Sequence, residues 1–171
     1  MLAKREIERL FKLLNDELAK TNQTGELYLV GGAVMCLVYD ARASTKDVDA
    51  LFKPAGAIRE AARRVALQAH VADDWLNDAV KGYLSERGDF RRYADLSNLR
   101  VMVAAPEYLL AMKCLAMRLG AEFHDEADIR FLLRLLDIAR YDDALALISR
   151  YYPLNKFPQK TLYALEEMVA R

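Results

Sequence analysis

Between Leu27 and Phe52 the chain reads LYLVGGAVMCLVYDARASTKDVDALF, and the order of residue types there leaves few folds open. Leu27, Tyr28, Leu29 and Val30 form a short apolar run that stops at Gly31 and Gly32, as a buried strand does before a sharp turn. A helix is expected from Ala33 to about Tyr39. Fourteen residues separate Gly32 from Asp47, and Asp47-Val48-Asp49 opens a second strand, Val48 to Phe52, closed by Lys53, Pro54 and Gly56. A strand, a tight glycine turn, a helix and a second strand led by two acids form a frame for a ligand, not merely a core.

The surrounding pattern sets the fold class. Ile7, Leu10, Phe11, Leu14 and Leu18 recur at helical spacing over residues 3–19, with Lys4, Glu6, Glu8, Arg9, Lys12 and Asp16 largely on the other side. A polar loop, Thr21 to Gly25, follows. After the second strand a helix is expected from Ile58 to about Ala69, then a short helix over 74–84 carrying Trp75, Leu76, Val80 and Leu84. Phe90 to Leu96 and Leu99 to Val103 read as two strands joined by Ser97 and Asn98. From Pro106 onward the chain reads as helix, over 106–119, 125–138, 141–151 and 159–170, with Pro106 at a first helical position. Strands and helices mixed in this order give an α/β (α+β) fold: a mixed sheet flanked by helices, residues 1–105, with a C-terminal helical region, residues 106–171, packed on it.

A chain of 171 residues, 54% of them apolar, buries one substantial core. Its 25 basic and 25 acidic side chains cancel, so no overall positive field advertises a nucleic-acid coat or an anionic membrane, and any RNA contact must be local. Cys36 and Cys114 are too few for a disulfide framework or a zinc site and sit in apolar helical patterns, which fits a reducing cytoplasm. No stretch approaches the roughly 18 apolar residues a membrane span needs, and Met1 to Leu18 lacks the apolar core of a signal peptide.

Chemistry follows from the same segment. Two glycines between strand and helix let the backbone approach a ligand closely, and the N–H groups at a helix start favour phosphate. Alternation along a strand puts Asp47 and Asp49 on one face, about 7 Å apart by the usual rise, with Val48 on the other. Carboxylates so placed can share Mg²⁺ or Mn²⁺ with the phosphate oxygens of a nucleoside triphosphate. Arg42, Thr45 and Lys46, just before them, are placed to complete a phosphate site. Either motif alone is commonplace, a solvated strand end or an ordinary turn; it is their order and context that point to nucleotide chemistry.

A second signal is Lys113, the one charge between Glu107 and Arg118 in the otherwise apolar helix PEYLLAMKCLAMRL. A lysine there either snorkels to the surface or reaches a phosphate or an acid. Asp125 and Asp128 open the next helix, where acids also suit free N–H groups and the helix dipole. His70 and His124 have no partners at metal-ligand spacing, Trp75 reads as a packing residue, and Arg63-Arg64 and Arg91-Arg92 as solvated faces open to an RNA backbone.

Taken together, VGGAV at 30–34, RASTKDVDALF at 42–52, WLNDAVKGYL at 75–84, LRVMVAAPEYLLAMKCLAMR at 99–118 and the DEADIRFLL that follows resemble the polymerase-β-like nucleotidyltransferase superfamily. Within it they resemble the short relatives of the bacterial AbiEii-type toxins of type IV toxin–antitoxin pairs. The resemblance implies metal binding by Asp47 and Asp49, and a site lined also by Lys113 and by Asp128 or Asp125. It implies a nucleoside triphosphate as donor, a transfer RNA 3′ end or a protein as acceptor, and a cognate antitoxin as partner, with protein nucleotidylation in an antitoxin role or a non-catalytic binding module as the other readings. Two departures stand out: Gly31-Gly32 replaces a common Gly-Ser, and the strand LRVMVA supplies no third carboxylate, leaving only Asp95 before the turn.

Overall fold

The computed structural model describes residues 1–120 and 122–170 and divides them into two compact units, the first comprising residues 1–82 and 90–104 and the second residues 83–89 and 105–170. In the first unit β1 (Leu2–Ala3) leads into α1 (Lys4–Lys20), β2 (Gly25–Val30), α2 (Gly32–Leu37), β3 (Ser44–Thr45), β4 (Val48–Lys53), α3 (Ala55–Ala69) and β5 (Leu76–Asn77), and the hairpin β6 (Phe90–Asp95) and β7 (Leu99–Ala104) completes it.

Five strands form one mixed sheet in the order β5-β4-β2-β7-β6. β2 is antiparallel to β4 and parallel to β7, β5 is parallel to β4, and β6 is antiparallel to β7. Leu27, Leu29, Val48, Ala50, Phe52, Leu99, Val101 and Val103 alternate onto a fully buried face. Against it α1 sets Ile7, Leu10, Phe11, Leu14 and Leu18, and α3 sets Ile58, Ala61, Ala62, Val65 and Ala66, so the apolar stripes of two mutually packed helices roof one side of the sheet. Cross-strand neighbours on the other face, Tyr28 with Leu51 and with Met102, are only half-buried.

Residues 74–84 are not a helix. Leu76 and Asn77 pair with β4 as the edge strand β5, and Ala79–Tyr83 forms a 3-10 turn. Trp75 fixes this course: it is 1% exposed, its indole N–H donates to the Ala62 carbonyl at 3.0 Å, and its carbonyl accepts from Val48 N–H at 2.7 Å. That makes Trp75 a packing residue. The two-residue strands β1 and β3 pair antiparallel in a sheet of their own, Leu2 with Thr45 and Ala3 with Ser44.

The second unit is helical, with α4 (Pro106–Leu115), α5 (Asp125–Leu135), α6 (Tyr141–Ile148) and α7 (Gln159–Val169). Its core takes Tyr108, Leu109, Leu110, Ile129, Leu132, Ala144, Ile148 and Leu165. Residues 83–89 are tied to it by tyrosines: Tyr108 Oη accepts from Ser85 N–H at 2.9 Å, and Tyr152 OH donates to the Tyr83 carbonyl at 2.5 Å. α4 stops at Leu115, short of the expected Leu119: Ala116 behind it leaves the helical region, φ −98° and ψ 12°, and Arg118 N–H donates to the Asp125 carboxylate at 2.9 Å. α5 stops at Leu135, and Asp137 behind it is left-handed, φ 56°. Cys36 and Cys114 are both buried free thiols.

Candidate active site

The turn after β2 is built on two glycines, the first in a conformation that favours glycine. Gly31 adopts φ 72° and ψ −152°, a region closed to residues with a Cβ, and caps α2. A Cβ on Gly31 would lie 3.1 Å from the Asp49 Oδ2, and one on Gly32 would lie 2.5 Å from an Arg42 guanidinium nitrogen and 2.9 Å from the Thr45 hydroxyl. The backbone of the two glycines is thus pressed against an acid on one side and against a base and a hydroxyl on the other. α2 itself spans only six residues, so its dipole is small and the cradle depends on these side chains and the exposed turn.

Each of those side chains is positioned by local structure. Asp49 stands opposite Val30, the last residue of β2, and opposite Asn77 on β5. Thr45 is buried, paired with Leu2 through β3, and donates its hydroxyl to the Asp47 carbonyl at 3.2 Å, which pins the loop just before the acids. Lys46 is exposed, whereas Asp47 and Asp49 are half-buried. Burial pushes the Asp47 carboxyl above its ordinary value and the nearby Asp74 adds to the shift, while the Lys46 charge and the neighbouring Asn77 amide oppose it. A site where a carboxylate is held against burial and a like charge gains from a cation.

The structure therefore brings Gly31, Gly32, Arg42, Thr45, Asp47 and Asp49 together in the first unit. Among the described residues no group of three or more His, Cys, Asp or Glu side chains is placed to hold a metal by itself. Two carboxylates fit Mg²⁺, which is commonly held by one or two protein oxygens, water and substrate phosphates. Asp95 does not add to them: at the far end of β6 it pairs with Arg100 at 3.6 Å and Arg92 at 3.7 Å.

Lys113 and Asp128 belong to the second unit and meet there. Lys113 Nζ donates to Asp128 Oδ2 at 2.6 Å, with the side chains 9% and 4% exposed. The lysine neither snorkels nor stands alone. Asp125, three residues before Asp128, is held instead by Arg118, through its backbone N–H and guanidinium, both at 2.9 Å. Burial, the largest influence, pushes the Asp125 carboxyl up, but the Arg118 hydrogen bonds and the Lys113 and Arg118 charges together hold it below the usual range. His70 and His124 are exposed at the ends of α3 and α5. Arg64 pairs with Glu17 at 3.1 Å and Glu60 at 3.3 Å, so half of the Arg63-Arg64 pair braces α3 against α1.

Sequence reasoning left Asn77 without a role, because its cross-strand partner, Asp49, lies twenty-eight residues upstream and is set by strand register.

No curated protein and no solved structure matches the chain. Residues 5–146, most of the chain, match a family described as a nucleotidyltransferase of unknown function (DUF6036). With a mixed sheet, a glycine turn against Asp49 and that match over most of its length, the chain belongs to this family of nucleotidyltransferases.

Proposed function

We propose that the chain is a metal-dependent enzyme that moves a nucleoside monophosphate from a nucleoside triphosphate to an acceptor. The observation that carries this reading is the approach of Asp49 to Gly31 and of Arg42 and Thr45 to Gly32, which sets an acid, a base and a hydroxyl beside the two glycines. In the reaction an acceptor hydroxyl attacks the α-phosphorus, the bond to the bridging oxygen breaks and pyrophosphate leaves. Charge builds on the phosphate oxygens during that exchange, so fixed donors and cations supply most of the rate. Gly31 and Gly32 let the triphosphate approach the turn, Arg42 and Lys46 offset its charge, and Thr45 holds the loop. Asp47 and Asp49 would hold Mg²⁺ or Mn²⁺, which when bound neutralises phosphate oxygens and favours the ionised hydroxyl.

The finer assignment rests on the resemblance to AbiEii-type toxins: a transfer RNA 3′ end as acceptor, a cognate antitoxin as partner, a bacterial cytoplasm as setting. No described helix is long and apolar enough to cross a membrane, which is compatible with that setting. Lys113 and Asp128 enter the proposal through the same resemblance; within their own unit they form a buried ion pair.

One observation favours a second reading, a non-catalytic nucleotide- or partner-binding module: among the described residues no third acid is placed to hold a metal together with Asp47 and Asp49. Incubation with each α-labelled nucleoside triphosphate, Mg²⁺ and either total RNA or cell protein separates the readings. Label on RNA supports the toxin assignment and names the nucleotide. Label on protein makes the chain a protein-nucleotidylating enzyme in an antitoxin role. Metal-dependent nucleotide binding without transfer supports the module.

A further inference from the structure

We infer that the outer face of α1 is a docking surface for the phosphate backbone of RNA; as the route by which an acceptor reaches the site, it rests on the RNA reading above. Arg5, Arg9 and Lys12, spaced four and three residues apart, share one face of the helix and are all exposed. On the opposite side Ile7, Leu10, Phe11, Leu14 and Leu18 are buried in the core, which fixes the direction the basic face takes. Among the described residues none of the three cations has an ion pair or a side-chain hydrogen bond. Glu8 stands three residues from Arg5 and four from Lys12, a spacing that suits pairing. Its carboxylate accepts instead from the Tyr93 hydroxyl, at 2.9 Å.

This arrangement works against the helix. Arg5 and Arg9 are like charges one turn apart, and Lys4 and Arg5 open α1, where the positive end of the helix dipole disfavours cations and Ala3 supplies no side-chain cap. Cations kept where they oppose the local structure point to an anionic partner. Place and composition narrow that partner. α1 follows directly on β1, whose Leu2 and Ala3 pair with Thr45 and Ser44. The stripe therefore starts beside the segment that carries Arg42, Lys46 and Asp47, and runs about 10 Å along the helix axis from Arg5 to Lys12. A membrane surface asks for apolar side chains beside the cations, and a protein partner for an aromatic or aliphatic anchor. No exposed residue of α1 is a large apolar one. Regularly spaced guanidinium and ammonium groups suit phosphates, to which Arg donates two parallel hydrogen bonds. The surface is local, as a chain with 25 basic and 25 acidic side chains requires.

The test is binding of the full chain to labelled bulk transfer RNA, followed by anisotropy over a salt series. Wild type is compared with the triple variant Arg5→Gln, Arg9→Gln, Lys12→Gln, with each single variant, and with a control triple of exposed cations, Arg134→Gln, Lys156→Gln, Lys160→Gln. At about 0.1 M salt the stripe variant should bind about tenfold or more weakly, with the slope of log affinity against log salt shallower by about 2, and by about 0.7 in each single variant. The control triple should match wild type. The urea midpoint of the stripe variant should equal or exceed that of wild type, because the lost charges oppose the helix. In transfer, its KM for RNA should rise by about the same factor as the affinity falls, with the KM for nucleoside triphosphate unchanged. An unchanged RNA affinity and slope in the stripe variant overturns the inference, as does an equal loss in the control triple. Should the triple variant not fold, unchanged slopes in all three single variants overturn it equally. Loss of binding confined to phosphatidylserine vesicles, with RNA binding kept, also overturns it. If the stripe carries RNA binding but wild type transfers label to protein and none to RNA, the docking surface holds and the RNA-acceptor reading falls.

Discussion

The Asp49 carboxylate lies 3.1 Å from the point where Gly31 would carry a side chain, and Gly31 holds a backbone conformation that only glycine adopts freely. The two residues are set against each other by register: Val30, just before the glycine, is the cross-strand partner of Asp49. Such a contact restricts what the position tolerates far more than core packing would require, and it lies where the sequence places its acids.

Substituting the glycines should therefore damage chemistry more than folding. Gly31→Ala carries the strain of a Cβ at φ 72°, about 1–3 kcal/mol, and displaces Asp49. Gly32→Ala collides with Arg42 and Thr45 without a backbone conflict. Both should lower transfer more than tenfold, whereas only Gly31→Ala should lose substantial stability in urea unfolding.

In the second unit the Lys113–Asp128 pair should be costly to break and cheap to replace. Asp128→Ala takes from the buried Lys113 ammonium the carboxylate 2.6 Å away, a loss of about 3–5 kcal/mol. Lys113→Met with Asp128→Leu should recover most of it. Denaturant midpoints of the two single variants and the double variant check this through a double-mutant cycle.

Asp125 gives the stability a pH dependence of defined sign. Its folded-state pKa lies below the ordinary value of 3.8, so its contribution is fully present above that value and is lost as pH falls through the lowered one. Asp125→Asn should accordingly flatten the fall in urea midpoint between neutral pH and the acid range, and Arg118→Gln should flatten it in part.

The short strand β1 should matter to the site although it carries no reactive group. Leu2 is buried and pairs with Thr45, whose hydroxyl holds the Asp47 carbonyl. Leu2→Asp should raise the KM for the nucleoside triphosphate and speed hydrogen exchange at Ser44 and Thr45, with little effect on exchange in α5.

Much of this was legible in the sequence. α1, β2, β4, α3, the β6–β7 hairpin and the four later helices follow from hydrophobic period and turn residues, because each is long enough to show its period. β1, β3 and β5 have two residues each and show none, so they exist only through partners far along the chain. Residues 74–84 misled because Leu76, Val80 and Leu84 recur every four residues while the burial of Trp75 and Leu76 is set by α3 and β4. The glycine turn and the two acids were visible as a motif. Arg42 and Thr45, placed by the sequence beside the phosphate site, do close on Gly32; that Asn77 stands opposite Asp49 depends on pairing across strands, which no local pattern encodes.

The most direct test of the account is the fate of γ-labelled nucleoside triphosphate incubated with the protein, Mg²⁺, total RNA and cell protein, compared between wild type and a folded Asp49→Ala variant. The account predicts labelled pyrophosphate from wild type and at least a hundredfold less, on the order expected for loss of a metal ligand, from the variant. Release of inorganic phosphate alone, or pyrophosphate undiminished by Asp49→Ala, would contradict it.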